Sequence, residues 1–284
     1  SPPGVSDRLL ETCGVFRGVA MCRFAARVPA VLLLALLWAG SGPVSPAAAP
    51  AEPADAQKLM LAKTHFDQGM KLLEKGSLEE AEAKFLEAVR AFPDMAEALI
   101  QLGNLSMRRK DYSQGLDRYP QARTALTNLR AISQRQQVEN SRRLQETMDI
   151  LREQVDQLRT SQNPADQSEI NLKMTQIDRL RQEQMKLRAH DELSIPAELP
   201  FLIGTARMNL EEYDAAIEDY GEALALRPGY GEAHNNLAVI YFFRKDYPLA
   251  WEHLRAAEKA GIRINPRFRE DLSAAAPEPA SAKP

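Results

Sequence analysis

Four small residues, Gly69, Gly103, Gly204 and Ala238, open one recurring pattern in this 284-residue chain. Twelve residues further on stand Ala81, Gly115, Ala216 and Ala250. Four beyond those are Phe85, Tyr119, Tyr220 and Leu254, and three beyond those Ala88, Ala122, Ala223 and Ala257. The steps between successive frames are 34, 101 and 34 residues. Two antiparallel helices approach closely only where small side chains sit at their crossing. A frame of small, small, bulky and small residues therefore predicts a helical hairpin, with the bulky side chain filling the space beside the crossing. Pro93 and Pro228 end the second helix of their hairpins, because proline lacks an N–H and clashes with the preceding turn. One hairpin cannot bury its apolar face alone, so such units must stack. The chain is thus expected to be all-α, with four units at 62–95, 96–129, 197–230 and 231–264. The segment "NPRFREDL", 265–272, reads as a helix capping the last unit.

The frame resembles the tetratricopeptide repeat. That resemblance implies a helical-hairpin solenoid of four repeats, two within 61–129 and two within 197–264. Departures mark the second and fourth units. The second has Gly115 where the family favours Ala, and Thr127 where its siblings have a terminal proline; the fourth has Ile262 at that place.

The 101-residue step exceeds one repeat by 67 residues, which fall at 130–196. This insert has no glycine and one turn signal, "SQNPAD". Leu144, Met148, Leu151, Val155 and Leu158 follow steps of 4, 3, 4 and 3, the spacing of a coiled-coil seam. Ile170, Met174, Ile177, Leu180 and Leu187 continue it on the return arm, with Gln184 interrupting. The two arms have equal length, which predicts an antiparallel coiled-coil hairpin about 40 Å long. The rival arrangement sets repeat pairs at opposite ends of one rod. Gln134, Gln136, Gln137, Asn140 and Ser141 make the base of the first arm polar, so that stretch is either loosely packed or bent. Pro120, inside "DYSQGLDRYPQARTALTNLRAIS", reads as a kink or as the first residue of a new helix.

The N-terminal region reads as an export signal. Residues 1–20 look like sequence upstream of the true start. From Met21, a basic stretch with Arg23 and Arg27 leads into the apolar run "VPAVLLLALLWAG" and then small residues, as a cleaved signal peptide over 21–49 requires. The run is short of the ~20 residues that span a bilayer. Residues 50–60 read as a Pro/Ala-rich linker and 273–284 as a disordered tail. Cys13 and Cys22 both precede the apolar run, so the mature chain has no thiol. The expected destination is a bacterial periplasm or the extracellular space, with no stable membrane span after cleavage. The alternative is an uncleaved N-terminal membrane anchor.

No catalytic constellation stands out, so the chain is read as non-enzymatic, without cofactor or metal. None of the four histidines, His65, His190, His234 and His253, pairs with another at helical ligand spacing. His65 reads as a partly buried structural residue. A net charge of −3 gives no footprint for nucleic acid. What remains is a surface for a protein or peptide partner. The resemblance implies that the first helix of each unit lines a concave groove. The groove residues would be Phe66 and Met70, Ile100 and Asn104, Phe201 and Thr205, and Asn235, Asn236, Val239 and Phe242. Packing against the neighbouring unit is the competing role for each. The expected function is an exported adaptor or scaffold that uses the groove, with the arm as a second contact surface. The alternative is a structural subunit that assembles with copies of itself through the coiled coil.

Overall fold

A computed structural model describes residues 53–161, 163–189 and 195–279. The apolar run at 28–40 lies outside these residues, as does the proposed cleavage region. Within them, no helix is long and apolar enough to cross a membrane, and no strand occurs. The elements are α1 (Pro53–Glu74), α2 (Leu78–Ala91), α3 (Ala96–Arg108), α4 (Tyr112–Thr160), a 3₁₀ turn (Pro164–Asp166) and α5 (Gln167–Ala189). They continue with α6 (Glu198–Asn209), α7 (Tyr213–Leu226), α8 (Gly231–Phe243), α9 (Tyr247–Lys259) and α10 (Pro266–Ala275). The chain divides into two compact units, residues 124–195 on the one hand and the flanking stretches, up to 123 and from 196, on the other.

The repeat unit is built on a notch-and-ring contact. A Cβ placed on Gly69 would lie 2.6 Å from Phe85 Cε1, and one on Gly103 2.5 Å from Tyr119 Cε1. At Gly204 the corresponding distance to Tyr220 Cε1 is 3.0 Å. The ring of the second helix therefore occupies the volume that any larger residue would need. In the fourth hairpin the bulky residue is Leu254, and there the first small residue is Ala238. Phe85, Tyr119, Tyr220 and Leu254 are all fully buried, as are Ala81, Ala88, Ala122, Ala216, Ala223, Ala250 and Ala257.

Turns between paired helices share one backbone shape. Gly76, Lys110, Glu211 and Lys245 occupy the same place in the frame, seven residues after the first small residue, and have φ of 82°, 61°, 63° and 63°. Each sits between two reverse bonds that close a helix end. For the second hairpin these are Lys110 N–H to Met107 O at 3.0 Å and Asp111 N–H to Ser106 O at 2.9 Å. Only the first of these turns uses glycine, the residue for which left-handed backbone is free of strain.

The prolines act as expected at two places and not at a third. α2 ends at Ala91 and α7 at Leu226. Phe92 and Arg227, which precede the prolines, are extended, at φ −142°, ψ 97° and φ −140°, ψ 90°. α4 has no such stop and runs on to Thr160. Pro120 lies inside this single helix rather than opening a new one. Its side chain is exposed, so the bond it cannot donate is lost on the solvent face.

Two boundaries differ from the sequence expectation. α1 begins at Pro53, so residues 53–60 are helix rather than linker; proline at the first turn followed by Ala, Gln and Lys favours a helix start. At the other end α10 takes in Ser273–Ala275, and residues up to 279 are tied down. Trp251 Nε1 donates to the Ala276 carbonyl at 3.2 Å, Arg255 donates to the Pro279 carbonyl at 3.3 Å, and Arg269 pairs with Glu278 at 3.3 Å. Residues 280–284 of the expected tail lie outside the described residues. α10 itself caps the fourth hairpin by burying Phe268 and Leu272.

Within the 124–195 unit the arms are antiparallel. Lys173 Nζ donates to Gln154 Oε1 at 2.9 Å, Gln184 Nε2 to the Ser141 carbonyl at 3.2 Å, and Gln137 to the Leu187 carbonyl. These pairs run in opposite chain order. Met148, Val155, Ile170 and Ile177 are buried between the arms. Met174, expected in the seam, is 40% exposed, and the long aliphatic stem of Lys173 takes the inner position instead. The polar base of the first arm contributes the Gln137 side chain and the Ser141 backbone carbonyl to cross-arm hydrogen bonds.

Candidate partner-binding surface

The first helices of the hairpins were expected to present the groove, and the structure places their side chains inward. α3 buries eleven of its thirteen residues. Of the ten expected groove residues, Phe66, Ile100, Asn104, Phe201, Thr205, Asn236 and Val239 are buried. Only Met70, Asn235 and Phe242 are half-exposed. Phe66 packs on Phe85 at 5.6 Å between ring centroids, and Phe201 on Tyr220 and Tyr230 at 5.7 and 4.9 Å. Phe242 meets Phe268 edge-on at 5.6 Å. The competing role, packing within the array, is the one the seven buried residues fill. A frame position says which way a side chain leaves its own hairpin. It does not say whether a neighbouring helix covers that direction.

Asn104 and Thr205 have a task that the groove reading missed. The Tyr119 hydroxyl donates to Asn104 Oδ1 at 3.0 Å, and the Tyr220 hydroxyl donates to Thr205 Oγ1 at 3.2 Å. Asn236 Nδ2, from the next hairpin, donates to the Tyr220 hydroxyl at 3.0 Å. Burial pushes both phenols far above their ordinary pKa, so they stay neutral donors. A signal for this exists in the sequence. Fifteen residues before each bulky residue stand Met70, Asn104, Thr205 and Val239. Where the ring carries a hydroxyl the partner is polar, and where it does not the partner is apolar. A buried hydroxyl left unpaired costs about 1–3 kcal/mol, which is reason enough for the match.

Charge is also brought inside. Asp219 is buried and pairs with Arg207 at 2.9 Å, while Arg123 of α4 pairs with Glu222 of α7. The latter pair joins the second hairpin to the third, so the four hairpins form one array and not two ends of a rod. Burial pushes the Asp219 carboxyl up to about 6, against the pull of Arg207.

His190 lies outside the described residues, and two of the other three histidines are brought together, which their sequence positions do not suggest. His65 lies half-buried with Nδ1 3.0 Å from Glu87 Oε2. His234 of α8 and His253 of α9 face one another with their Nδ1 atoms 2.9 Å apart. His234 Nε2 lies 3.2 Å from the Pro228 carbonyl, and the His253 ring stacks on Tyr241 at 5.4 Å and 7°. Burial, followed by the neighbouring His234, holds the His253 pKa below its ordinary value. The pair lies nineteen residues apart in sequence, and only the antiparallel crossing of α8 and α9 unites it.

Paired helices with a notch-and-ring crossing, a common left-handed turn and a capping helix define a helical-hairpin repeat protein. The repeats belong to the tetratricopeptide-repeat family, whose profile matches residues 66–119 and 201–263. Proteins of this family bind protein or peptide partners and are in general non-enzymatic scaffolds. No curated protein matches the chain. Among solved structures it is similar to PilW, a widely conserved type IV pilus biogenesis factor, at 11% identity and a TM-score of 0.39, over 75% of this chain and 85% of that one. It is similar to PilF of Pseudomonas aeruginosa at 15% identity and a TM-score of 0.34, covering 77% and 90%. A third is a thermophilic tetratricopeptide-repeat protein of Thermus thermophilus, at 19% identity and a TM-score of 0.31, covering 75% and 98%.

Proposed function

We propose that the chain is an exported, non-enzymatic adaptor that binds a protein partner through the accessible rim of its repeat array and through its arm. The reading of export rests on the sequence between Met21 and Ala49. The reading of two contact surfaces rests on one observation. The 124–195 unit keeps Val138, Ile150 and Leu172 at 70%, 57% and 59% exposure, and the array keeps Met60 and Leu61 of α1 at 70% and 51%. Large apolar side chains held on an outer helix face are available to a partner. We read the two antiparallel arms as a coiled coil inserted at 130–196. A shallow, open depression on α4, lined by Asp149, Arg152, Glu153, Asp156, Gln157 and Thr160, adds charged recognition groups rather than an enclosing pocket. On the array, Met70, Asn235 and Phe242 are what remains of the groove.

The test is affinity capture from the exported protein fraction with three baits: the parent chain, Ile150→Glu/Leu172→Glu, and Met70→Glu/Asn235→Lys. Loss of the same captured protein by either double variant supports the surface concerned. Undiminished capture by both variants overturns the reading. Light scattering on the same proteins addresses the self-assembling alternative. A parent oligomer that dissociates in the Ile150→Glu/Leu172→Glu variant would make a second copy the partner.

A further inference from the structure

We infer that the face of α9 and α10 around Trp251, Arg255 and Arg269 is a receptor for an extended, proline-flanked acidic peptide, and that residues 276–279 of this chain occupy it in cis. Ala276 leaves α10 extended, at φ −155° and ψ 132°. Pro277 and Pro279 have their φ fixed by the ring at the value of a polyproline II segment. Such a segment turns once in three residues, so carbonyls three apart point the same way. The Ala276 carbonyl accepts from Trp251 Nε1 at 3.2 Å, and the Pro279 carbonyl accepts from Arg255 Nη1 at 3.3 Å. Between them the Glu278 carboxylate lies 3.3 Å from Arg269 Nη2 and 4.0 Å from Arg255 Nη1.

Two features mark a binding seat and not a core strap. Pro277, Glu278 and Pro279 are exposed, so polar contacts hold them with little apolar burial. The receptor is also held by groups other than the tail. Trp251 is buried in the array, and Arg269 pairs with Glu258 and lies over the Trp251 ring at 5.9 Å. A segment tethered to α10 acts at an effective concentration on the order of millimolar, so weak contacts suffice in cis. The same contacts define the partner that displaces it. Two guanidinium groups select an acid, two N–H donors select carbonyls one polyproline turn apart, and flanking prolines lower the cost of ordering the segment. The partner is a protein that presents an Ala-Pro-Glu-Pro type of segment.

The full chain, labelled with ¹⁵N, gives two indole N–H resonances, from Trp38 and Trp251. Glu278→Lys, which sets a third positive charge beside the two arginines, should shift the Trp251 resonance as the tail leaves. Added acetyl-Ala-Ala-Ala-Pro-Glu-Pro-amide, the sequence of 274–279, should return it toward the parent position. The peptide should bind this variant at least about tenfold more tightly than the parent, whose own tail competes. Lysine in place of the peptide's glutamate, or Arg255→Ala in the Glu278→Lys chain, should weaken binding roughly tenfold or more. An unshifted resonance in Glu278→Lys overturns the proposal, as does a variant that ignores the peptide, or equal affinity for the acidic and lysine peptides. Self-association of the parent that Glu278→Lys abolishes would seat a second copy's tail and overturn occupation in cis. If Arg255→Ala fails to fold by circular dichroism, the two peptides still decide the matter.

Discussion

The repeat array and the arm are both made of antiparallel helices, yet they are held by different means. In the array, helices touch along a notch where glycine admits a ring, and α3 is enclosed on nearly every side. In the arm, four buried side chains form a narrow seam, and the outer faces are bound by ion pairs three or four residues apart, such as Arg142 with Glu139 and Glu146. Close approach demands shape complementarity at each crossing. A seam demands only that apolar residues recur. The array is therefore intolerant of single added atoms, and the arm is tolerant of them but easily opened.

The largest expected effect tests the notch. Gly103→Ala places a methyl 2.5 Å from the Tyr119 ring, and should lower stability by about 2–3 kcal/mol in denaturant titration, despite alanine's better helix propensity. An unchanged midpoint would mean that the crossing is loose. In the arm, Met148→Ala should cost about 2 kcal/mol, read by hydrogen exchange as faster opening of the 124–189 amides with the array's protection intact. Equal loss of protection in both units would show that they do not open separately.

The hydroxyl matching comes next. Asn104→Met strands the Tyr119 hydroxyl and should cost roughly 1–2 kcal/mol. Adding Tyr119→Phe, which reproduces the Met70 and Phe85 combination of the first hairpin, should recover part of that. If the second change instead adds to the first, the hydroxyl was not the reason for the asparagine.

Asp219 makes the array sensitive to pH in a definite direction. Its carboxyl sits at about 6 in the folded chain against an ordinary 3.8. The folded state therefore holds the extra proton between those values, and the cost of burying the charge is present above that folded pKa. That cost is relieved as pH falls through the window. Relative to Asp219→Asn, the parent should gain stability between about pH 7 and about pH 4.5 in thermal melts; a constant difference would leave Asp219 without a role in the pH response. The smallest effect belongs to the turns. Lys110→Gly, Glu211→Gly and Lys245→Gly should each stabilise by about 0.5–1 kcal/mol, since relief of left-handed strain exceeds glycine's entropic cost. No gain would mean that the lysine and glutamate side chains contribute locally.

The sequence makes the hairpins legible because their determinants are local and periodic: a small residue, a bulky one, a proline stop. It makes the insert legible because a step of 101 is not a step of 34. The groove is not legible in the same way, since Ile100 and Val239 are buried within the array. Lys110, Glu211 and Lys245 betray nothing of their backbone, because residue type signals left-handed geometry only when it is glycine or asparagine. His234 and His253 carry no mutual spacing at all. The start of α1 at Pro53 was masked by a composition that serves a linker and a first helical turn equally well.

The notch-and-ring contact also imposes an order on change. The fourth hairpin, with Ala238 and Leu254, is a second workable solution to the same crossing. To pass from it to the glycine-and-tyrosine form, Ala238 must shrink first, at about 1 kcal/mol in helix propensity, before Leu254 can become a ring. The reverse sequence of steps drives a ring into a methyl and is closed. Change in either direction therefore passes through the same intermediate, a glycine facing a leucine, and the hairpins that carry rings are reached only after the notch has given up its side chain.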